Sequence, residues 1–489
     1  MSGYLFVLGF IVGCVLAVRR HPVWGAATYV GVLFASPQLR WWGDGWIGQQ
    51  RWSYYSAIIT TLVLVFGKRY KRPLVPLTRY GVFWILVLAT VWLGAQSFWA
   101  LDPVEHSELL SYYVKFCIAM ALIYYSVDSE ESLRVFMWAY VSGCFYFGLI
   151  AFTSYTGGRF EGFGGSGINE ANAGALTMVT GIFMAGSLFL AGNLRSKVVA
   201  FVMIPFIVDG LIATISRSGF LALAVGGVIY NWFTPGKLGR RVRVLSVLAI
   251  TLFLMLTGPS YWSRMQSIEH AGENVEGMDT GEDRIAVIKA QWRMFKDHPL
   301  GCGALCTAVL SPDYIESRYL AASEGNGIQR RRASHNTYMT MLVEHGLPGE
   351  ILFIAMLIWV YSGLKKAARA LKKDTTFLAM AFPAVAAVLA GQWVADLFVS
   401  YDKFELRIWF VTLLLVMLKL IEQRKLAGAG ATVAAQPGKP ALPLRGPTVT
   451  KPAPGAASAA GGSGATGSGA VRSTAPREPG DSEMRSGSR

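Results

Sequence analysis

The sequence predicts an all-α membrane protein that crosses the bilayer many times. Hydrophobic residues make up 53% of its 489 residues and charged residues only 15%, and the mean hydropathy is +0.41. A soluble domain could not hide that much apolar surface in its core. The apolar residues are grouped in long runs, and clusters of lysine and arginine follow alternate runs. Because hydrocarbon offers no partner to backbone groups, each run is predicted to be helical.

Thirteen apolar runs are candidate transmembrane helices. In chain order they lie near residues 3–18, 22–38, 53–67, 80–99, 108–126, 133–154, 171–192, 197–215, 217–233, 243–258, 348–364, 376–399 and 406–421. A span needs roughly 17 to 25 apolar residues, and several of these runs are short. We therefore expect about 12 transmembrane helices.

The basic loops predict the orientation of these helices. Dense lysine and arginine clusters lie at residues 67–79, 234–243, 364–373 and 422–428. By the positive-inside rule these loops are cytoplasmic. The same alternation places residues 38–52, 100–107, 155–170 and 259–347 outside, which in a bacterium is the periplasm. Arg19 and Arg20 place the first turn inside, so the N-terminus is expected outside. The predicted location is the bacterial inner membrane.

Four regions follow from this pattern. They are an N-terminal transmembrane bundle (1–258), a large periplasmic loop (259–334), C-terminal transmembrane helices (335–425) and a cytoplasmic tail (426–489). The tail is rich in Ala, Gly, Pro and Ser and is predicted to be disordered. Within the loop, residues 281–299 have apolar side chains at helical spacing, which predicts an amphipathic helix that stops before Pro299. The glycines of the following PLGCGAL stretch are expected to turn the chain.

Composition and motifs exclude several functions. The net charge of +15 is carried mainly by the inside loops and the tail, and no nucleic-acid-binding motif accompanies it. GFGGSG (162–167) fits a dinucleotide pattern, but no strand precedes it, so we interpret it as an outer loop. No D-x-D pair, H-E-x-x-H or paired-cysteine zinc spacing occurs, so neither a metal nor another cofactor is expected. Cys302 and Cys306 lie in the outer loop, where a disulfide is permitted but not demanded.

Four arginines on the predicted outer side are candidate anion-binding residues. Arg217 lies among Ser216, Ser218 and Gly219 between two spans, where small residues and a helix N-terminus leave room for an anion. An arginine that snorkels at an ordinary helix end is the alternative. Arg284 opens the amphipathic helix, and Arg293 is expected on roughly the same side; a solvated surface residue is the default for either. Arg159, in GGRFEGFG, is a weaker candidate.

His335 is the candidate general base. It is expected to start a helix at the outer membrane boundary, next to Asn336 and after the run Arg330–Arg332. An unperturbed histidine titrates near pH 6.5 and can accept a proton around neutrality. Asn336 is at most a supporting hydrogen-bonding residue, whereas Glu344 and His345 are interpreted as structural.

A histidine base beside arginines favours one chemistry. Guanidinium groups would bind a lipid-diphosphate donor and stabilise its leaving group, while the histidine deprotonates an acceptor hydroxyl. A transporter of lipid-linked sugars is the alternative from another class. It would need charges deep in several spans, and the candidates are few: Lys115, Asp209 and Asp396. Concentration of the polar motifs at the outer face favours an enzyme.

Three stretches resemble the O-antigen ligase and polymerase superfamily. They are SRSGFLAL (216–223), EDRIAVIKAQWRMFKDHPLGCGAL (282–305) and SHNTYMTMLVEHGLPGEILF (334–353), in that order with a long outer loop between them. The resemblance implies the multi-span type C glycosyltransferase fold. It also implies transfer of a glycan from undecaprenyl diphosphate to a sugar hydroxyl of lipid A-core at the periplasmic face.

The resemblance also assigns roles to individual residues. Arg217 and Arg284 would hold the diphosphate, His335 would be the base, and the reaction would invert the anomeric centre without a metal. Arg159, Arg293 and Asn336 remain secondary candidates for substrate binding. The same motifs occur in polymerases, which extend another lipid-linked glycan, and in protein O-oligosaccharyltransferases. A ligase is our first expectation.

Overall fold

The helices of this chain follow the predicted apolar runs. The computed structural model describes residues 2–67, 75–165, 167–168, 170–234, 236–266, 282–316, 320 and 331–434. Within those ranges it consists of α-helices, short 3-10 turns and connecting segments, with no β-strand. The helices are α1 (Ser2–Arg19), α2 (Val23–Ala35), α3 (Trp46–Gln49), α4 (Trp52–Phe66), α5 (Gly81–Gln96), α6 (Pro103–Ser126), α7 (Glu130–Ser154), α8 (Ala171–Ala191), α9 (Leu194–Ala213), α10 (Arg217–Phe233), α11 (Gly236–Leu256), α12 (Pro259–Gln266), α13 (Glu282–Asp297), α14 (Cys306–Tyr314), α15 (Thr337–Glu344), α16 (Gly346–Leu371), α17 (Phe377–Ala395) and α18 (Glu405–Ala434).

Helices in the described ranges are long and apolar enough to cross a membrane. Those that meet both criteria over the described residues are α1, α6, α7, α8, α9, α16 and α17, and α4 and α5 are shorter apolar helices. Each of the thirteen predicted runs coincides with a helix. The chain is therefore an all-α polytopic membrane protein, as predicted, while the number of about 12 spans stays a prediction.

The most buried helices of the bundle are α8, α17 and α18, and α10 packs against α17. The most apolar stretches of α8 and α17 are each 78% buried, against 11% for α1 at the periphery. Small residues let these helices approach closely, as is usual in membranes. A side chain at Gly391 would begin 2.8 Å from the Ala222 carbonyl oxygen, and one at Gly226 would begin 3.1 Å from the Ala387 carbonyl oxygen. Backbone contact between α10 and α17 therefore requires glycine at these positions.

A buried ion pair joins α17 to α18. Arg407 Nη2 lies 2.5 Å from Asp396 Oδ1, and both side chains are at most 9% exposed. Asp396 is the C-cap of α17, and Arg407 lies in the first turn of α18. Because breaking a buried pair leaves an uncompensated charge, this contact fixes the geometry of the connection between the two helices.

The segment after α13 is locked against the junction of α15 and α16. Gly301 and Gly303 have φ angles of 80° and 92°, so the glycines turn the chain here as expected. Gly346 has φ 69°, and a side chain there would begin 2.2 Å from the Leu300 carbonyl carbon. In the same way, a side chain at Gly301 would begin 2.5 Å from the Gly346 nitrogen. The two backbone segments touch with no room for a side chain between them.

Two predicted boundaries can be compared with the structure. The amphipathic helix α13 ends at Asp297, two residues before Pro299, as predicted. By contrast, α18 runs to Ala434, past the start of the predicted disordered tail at residue 426. Residues 1–433 form one compact unit. The second unit, residues 434–489, lies outside the described residues except for Ala434, so the prediction of disorder there has no structural test.

Candidate functional site

Arg217 is the first residue of α10. Ser216 is the N-cap, and its Oγ accepts the hydrogen bond of the Gly219 amide at 3.2 Å. The preceding residue, Ile215, has φ 46°, which is strained for a β-branched side chain. Backbone strain of this kind concentrates at functional sites. Arg217 is half-buried, and its position as the first residue of α10 places it at the positive end of a helix dipole.

Asn172, near the start of α8, anchors the serines on both sides of Arg217. Ser216 Oγ donates to Asn172 Oδ1 at 2.8 Å, and Ser218 Oγ donates to the same oxygen at 3.4 Å. The main-chain carbonyl of Asn172 accepts a hydrogen bond from the Tyr401 hydroxyl at 3.2 Å. The start of α10 is thus tied to the segment between α17 and α18.

His335 lies in the extended segment that precedes α15. It was expected to start that helix, but the N-cap is Asn336 and the first helical residue is Thr337. The His335 side chain is exposed. The Asn336 amide is engaged within the fold, because Oδ1 accepts from the Met339 amide at 3.0 Å and Nδ2 donates to the Leu397 carbonyl at 3.1 Å. Asn336 therefore supports the backbone beside His335.

Thr337 and Tyr401 connect the His335 segment to the Arg217 segment. The Tyr401 amide donates to Thr337 Oγ1 at 3.1 Å. The Thr337 amide donates to the Asp396 carbonyl at 2.8 Å, and its hydroxyl donates to the Val399 carbonyl at 2.7 Å. A continuous set of hydrogen bonds therefore runs from α10 through Asn172 and Tyr401 to the residue that follows Asn336.

Arg284 lies on the packed side of α13. The buried residues of that helix are Val287, Ala290, Gln291 and Met294, and Arg284 is half-buried at the same side. Gln291 Nε2 donates to Ser334 Oγ at 2.9 Å, directly before His335. The structure thus brings the helix that carries Arg284 against the segment that carries His335.

Arg293 does not share a side of α13 with Arg284, and that expectation is wrong. Nine residues advance a helix by about 900°, which is half a turn out of phase. The Arg293 side chain is exposed, and its Nη2 donates to the Tyr314 carbonyl at 2.5 Å. The guanidinium ties α13 to the end of α14.

Arg159 lies in the loop between α7 and α8. Its Nε is 3.5 Å from Glu161 Oε1. The neighbouring Phe160 amide donates to the Ala213 carbonyl at 3.0 Å, so this loop is held against the end of α9, four residues before Arg217. The structure places Arg159 on a segment close to the start of α10, with its charge partly compensated by Glu161.

Glu344 and His345, both interpreted as structural, are buried. Glu344 Oε2 accepts from the Leu305 amide at 2.7 Å. Burial, and then the negative charge of Asp402, raise the pKa of Glu344 from its ordinary 4.5 to about 8. His345 Nδ1 lies 3.3 Å from Gln96 Oε1, and its carbonyl accepts from the Trp92 indole at 2.7 Å. These contacts hold the chain where α15 meets α16.

Cys302 and Cys306 form a disulfide, which the sequence permitted without demanding. Their Cα atoms are 5.7 Å apart. The bond closes the turn whose Leu305 amide is bound by Glu344. Of the run Arg330–Arg332, Arg330 lies outside the described residues, Arg331 is exposed, and the Arg332 amide donates to Ser311 Oγ at 2.8 Å. The segment before His335 is thereby fixed to α14.

Within the described part of the chain, no three His, Cys, Asp or Glu side chains are grouped as metal ligands would be. The connected segments carry guanidinium, imidazole, hydroxyl and amide groups. This set can bind an anion and accept a proton.

Sequence reasoning missed the residues that connect the site. Asn172 and Tyr401 lie 229 positions apart, and Gln291 and Ser334 lie 43 apart. Each looks like an ordinary polar residue in the sequence. One available signal was the i, i+7 spacing of Arg284 and Gln291, which places both on one side of α13.

A comparison with protein families finds a match over the part of the chain that contains this site. Residues 200–354 match the family model described as O-antigen ligase (Wzy_C), and this stretch includes Arg217, Arg284 and His335. No curated protein matches the chain. The family match confirms the resemblance seen in the three motifs: residues 200–354 are similar to the O-antigen ligase family.

Proposed function

We propose that the protein is an O-antigen ligase. It would transfer a glycan from undecaprenyl diphosphate to a sugar hydroxyl of lipid A-core, at the periplasmic face of the bacterial inner membrane. The observation that carries the proposal is the set of contacts that gathers the segments of Arg217, Arg284 and His335. Members of the matched family are ligases or polymerases of the glycosyltransferase kind, which supports a lipid-linked glycan as donor.

In the proposed reaction His335 removes the proton from the acceptor hydroxyl. The hydroxyl oxygen attacks the anomeric carbon of the donor as the bond from that carbon to the diphosphate oxygen breaks. The diphosphate leaves with the bonding electron pair, and attack from the opposite side inverts the anomeric centre. An exposed imidazole on a backbone segment held at both ends suits this role, because it reaches solvent and stays in place.

Arg217 and Arg284 would bind the diphosphate. Two guanidinium groups can each hold two phosphate oxygens in a planar fork, and the N-terminus of α10 adds a partial positive charge beside Arg217. Both arginines are half-buried, where screening by water is weaker than at an open surface. The charge that develops on the leaving group would thus be stabilised without a metal ion.

Polymerase and protein O-oligosaccharyltransferase activities are the enzyme alternatives, because the matched family also contains polymerases. The transporter alternative depended on charges deep in the spans. Asp396 instead lies at the end of α17 and is neutralised by Arg407. Lys115 lies in the middle of α6, where its ammonium group is 5.0 Å from the centre of the Tyr112 ring. These contacts support structural roles for two of the three charges and therefore favour the enzyme.

A purified transfer assay tests the proposal. The detergent-solubilised full chain is offered the lipid-linked glycan with lipid A-core, with a second lipid-linked unit, or with an acceptor protein. A ligase extends lipid A-core, whereas extension of another acceptor identifies a polymerase or a protein glycosyltransferase. We expect His335→Ala to lower kcat by at least 100-fold, and the control His298→Ala to retain activity. Activity should persist in EDTA; loss that added Mg²⁺ restores would contradict the metal-free mechanism.

We also propose the type C glycosyltransferase fold with about 12 spans, a periplasmic segment at 259–334 and an N-terminus outside. The disulfide between Cys302 and Cys306 supports this orientation, because disulfides persist in oxidising compartments. A cysteine at the exposed position Ala333 should react with a membrane-impermeant maleimide in intact cells. A cysteine at the exposed position Lys372 should react only after permeabilisation. The reverse pattern would overturn the orientation.

A further inference from the structure

A completely buried glutamine, Gln291, lies on the same side of α13 as Arg284. The two residues are seven positions apart, so they lie two turns apart, roughly 10 Å along the helix. Gln291 is 0% exposed, and its Nε2 donates to Ser334 Oγ at 2.9 Å. One side of one rigid helix therefore carries both the proposed diphosphate ligand and a direct contact to the residue before His335.

The Ser334 side chain is hydrogen-bonded to the backbone of Asn336 across His335, and we call residues 334–336 the arch. Ser334 Oγ donates to the Asn336 carbonyl at 3.1 Å and accepts from the Asn336 amide at 3.3 Å. His335 is the residue between them, and its side chain is exposed. On the far side, Asn336 Nδ2 donates to the Leu397 carbonyl. The arch is thus held by α13 through Gln291 and by the α17–α18 connection through Asn336.

We propose that Gln291 is a positioning residue that sets the location of His335 relative to Arg284. This inference rests on the proposed function, in which Arg284 binds the donor diphosphate and His335 deprotonates the acceptor. The Gln291 amide does not touch substrate. It fixes the distance between the donor-binding side chain and the base, so that the acceptor oxygen approaches the anomeric carbon with its proton directed at the imidazole.

The hydrogen bonding of Gln291 separates a positioning role from a stabilising one. Its Oε1 is buried without a hydrogen-bond partner, which costs free energy. The surrounding side chains of α13 include Val287 and Met294, which are apolar. Replacing the amide by an apolar group of similar size would remove the unpaired oxygen, and Ser334 would keep both of its bonds to Asn336. For stability alone, leucine would serve as well as glutamine.

Gln291→Leu tests the inference, with Lys289→Leu on the exposed side of α13 as control. We expect Gln291→Leu to unfold at the same temperature as wild type or higher, and to lower kcat by about 10- to 100-fold, the loss typical of a displaced catalytic group. The KM for the lipid-linked donor should change by less than about threefold, because Arg284 is untouched. Ser334→Ala should cause a similar loss, and the double variant should lose no more than either single variant.

Hydrogen exchange provides a readout that does not depend on activity. The Asn336 amide, which donates to Ser334 Oγ, should exchange about tenfold faster in Gln291→Leu, because the hydrogen bond from α13 to Ser334 is gone. A wild-type kcat or unchanged exchange in that variant overturns the inference. A variant that fails to fold, or that loses activity only in proportion to folded protein, also overturns it in favour of a stabilising role. If the wild type transfers no glycan but amide exchange is still faster in Gln291→Leu, the proposed function is wrong. The role of Gln291 in holding the segment of His335 is then still supported.

Discussion

The Glu344→Gln variant should be more stable than the wild type, by a margin that grows as the pH rises. The Glu344 carboxyl group is buried, and one of its oxygens binds the Leu305 amide at 2.7 Å. Glutamine keeps a carbonyl oxygen for that amide and carries no charge. The substitution therefore removes the desolvation cost of the carboxylate and preserves the hydrogen bond.

The size of the effect follows from the pKa. Burial raises the pKa of Glu344 to about 8 in the folded protein, against an ordinary 4.5. Between these values the folded state binds more protons than the unfolded chain, so the free energy of unfolding falls as the pH rises. Each pH unit in this window costs about 1.4 kcal/mol, which gives an upper bound of about 4 kcal/mol between pH 5 and pH 8. The Glu344→Gln variant should not lose this stability, because glutamine does not ionise.

Thermal unfolding of the detergent-solubilised protein at pH 5, 6, 7 and 8 measures the difference. The variant and the wild type should unfold at similar temperatures at pH 5, and the variant should unfold at a higher temperature by pH 8. Glu131→Gln, at an exposed position on α7, is the matched control and should follow the wild type throughout. A difference that does not grow with pH, or a variant less stable than wild type at pH 8, would refute the reasoning.

Three further outcomes are expected. Arg217→Lys should lower kcat/KM by about 10- to 100-fold in the transfer assay, because the ammonium group of lysine cannot hold two diphosphate oxygens as the planar guanidinium does. Near-normal turnover would indicate that Arg217 only extends its charge to the membrane surface. Replacing Cys302 and Cys306 by serine should cost about 2 kcal/mol, the value for so short a closed loop, seen as a lower unfolding temperature than wild type in the absence of reductant. Asp396→Asn should cost about 3 to 5 kcal/mol by leaving Arg407 buried without its counter-charge; an unchanged yield of folded protein in size-exclusion chromatography would contradict this.

The helices of the bundle could be predicted from sequence because a membrane imposes a simple rule on them. An apolar run must pair its own backbone, so α8 and α17 follow directly from composition. The helix ends are less predictable. The last helix continues to Ala434 although the polar, glycine-rich tail was expected to begin at residue 426. Likewise α16 extends through the basic stretch to Leu371, because lysine and arginine are good helix formers outside the bilayer.

The site was predictable in its chemistry more than in its geometry. His335 and Arg217 are distinctive because a base and a cation are unusual beside apolar spans. The contacts that connect their segments depend on Asn172 and Tyr401, whose partners lie far away in sequence. No local pattern specifies such a pairing. The misplacement of Arg293 had a different origin, since helical phase alone separates it from Arg284.

The contact between Gly301 and Gly346 restricts how sequences similar to this chain can vary. Each glycine occupies the space that a methyl group on the other backbone segment would need. Both glycines adopt φ angles that favour glycine. A change at either position therefore cannot be accommodated by a change at the other. Among related sequences that retain this backbone contact, we expect both positions to stay glycine while the surrounding residues vary. A relative that lacks one of them should have a differently built loop after α13.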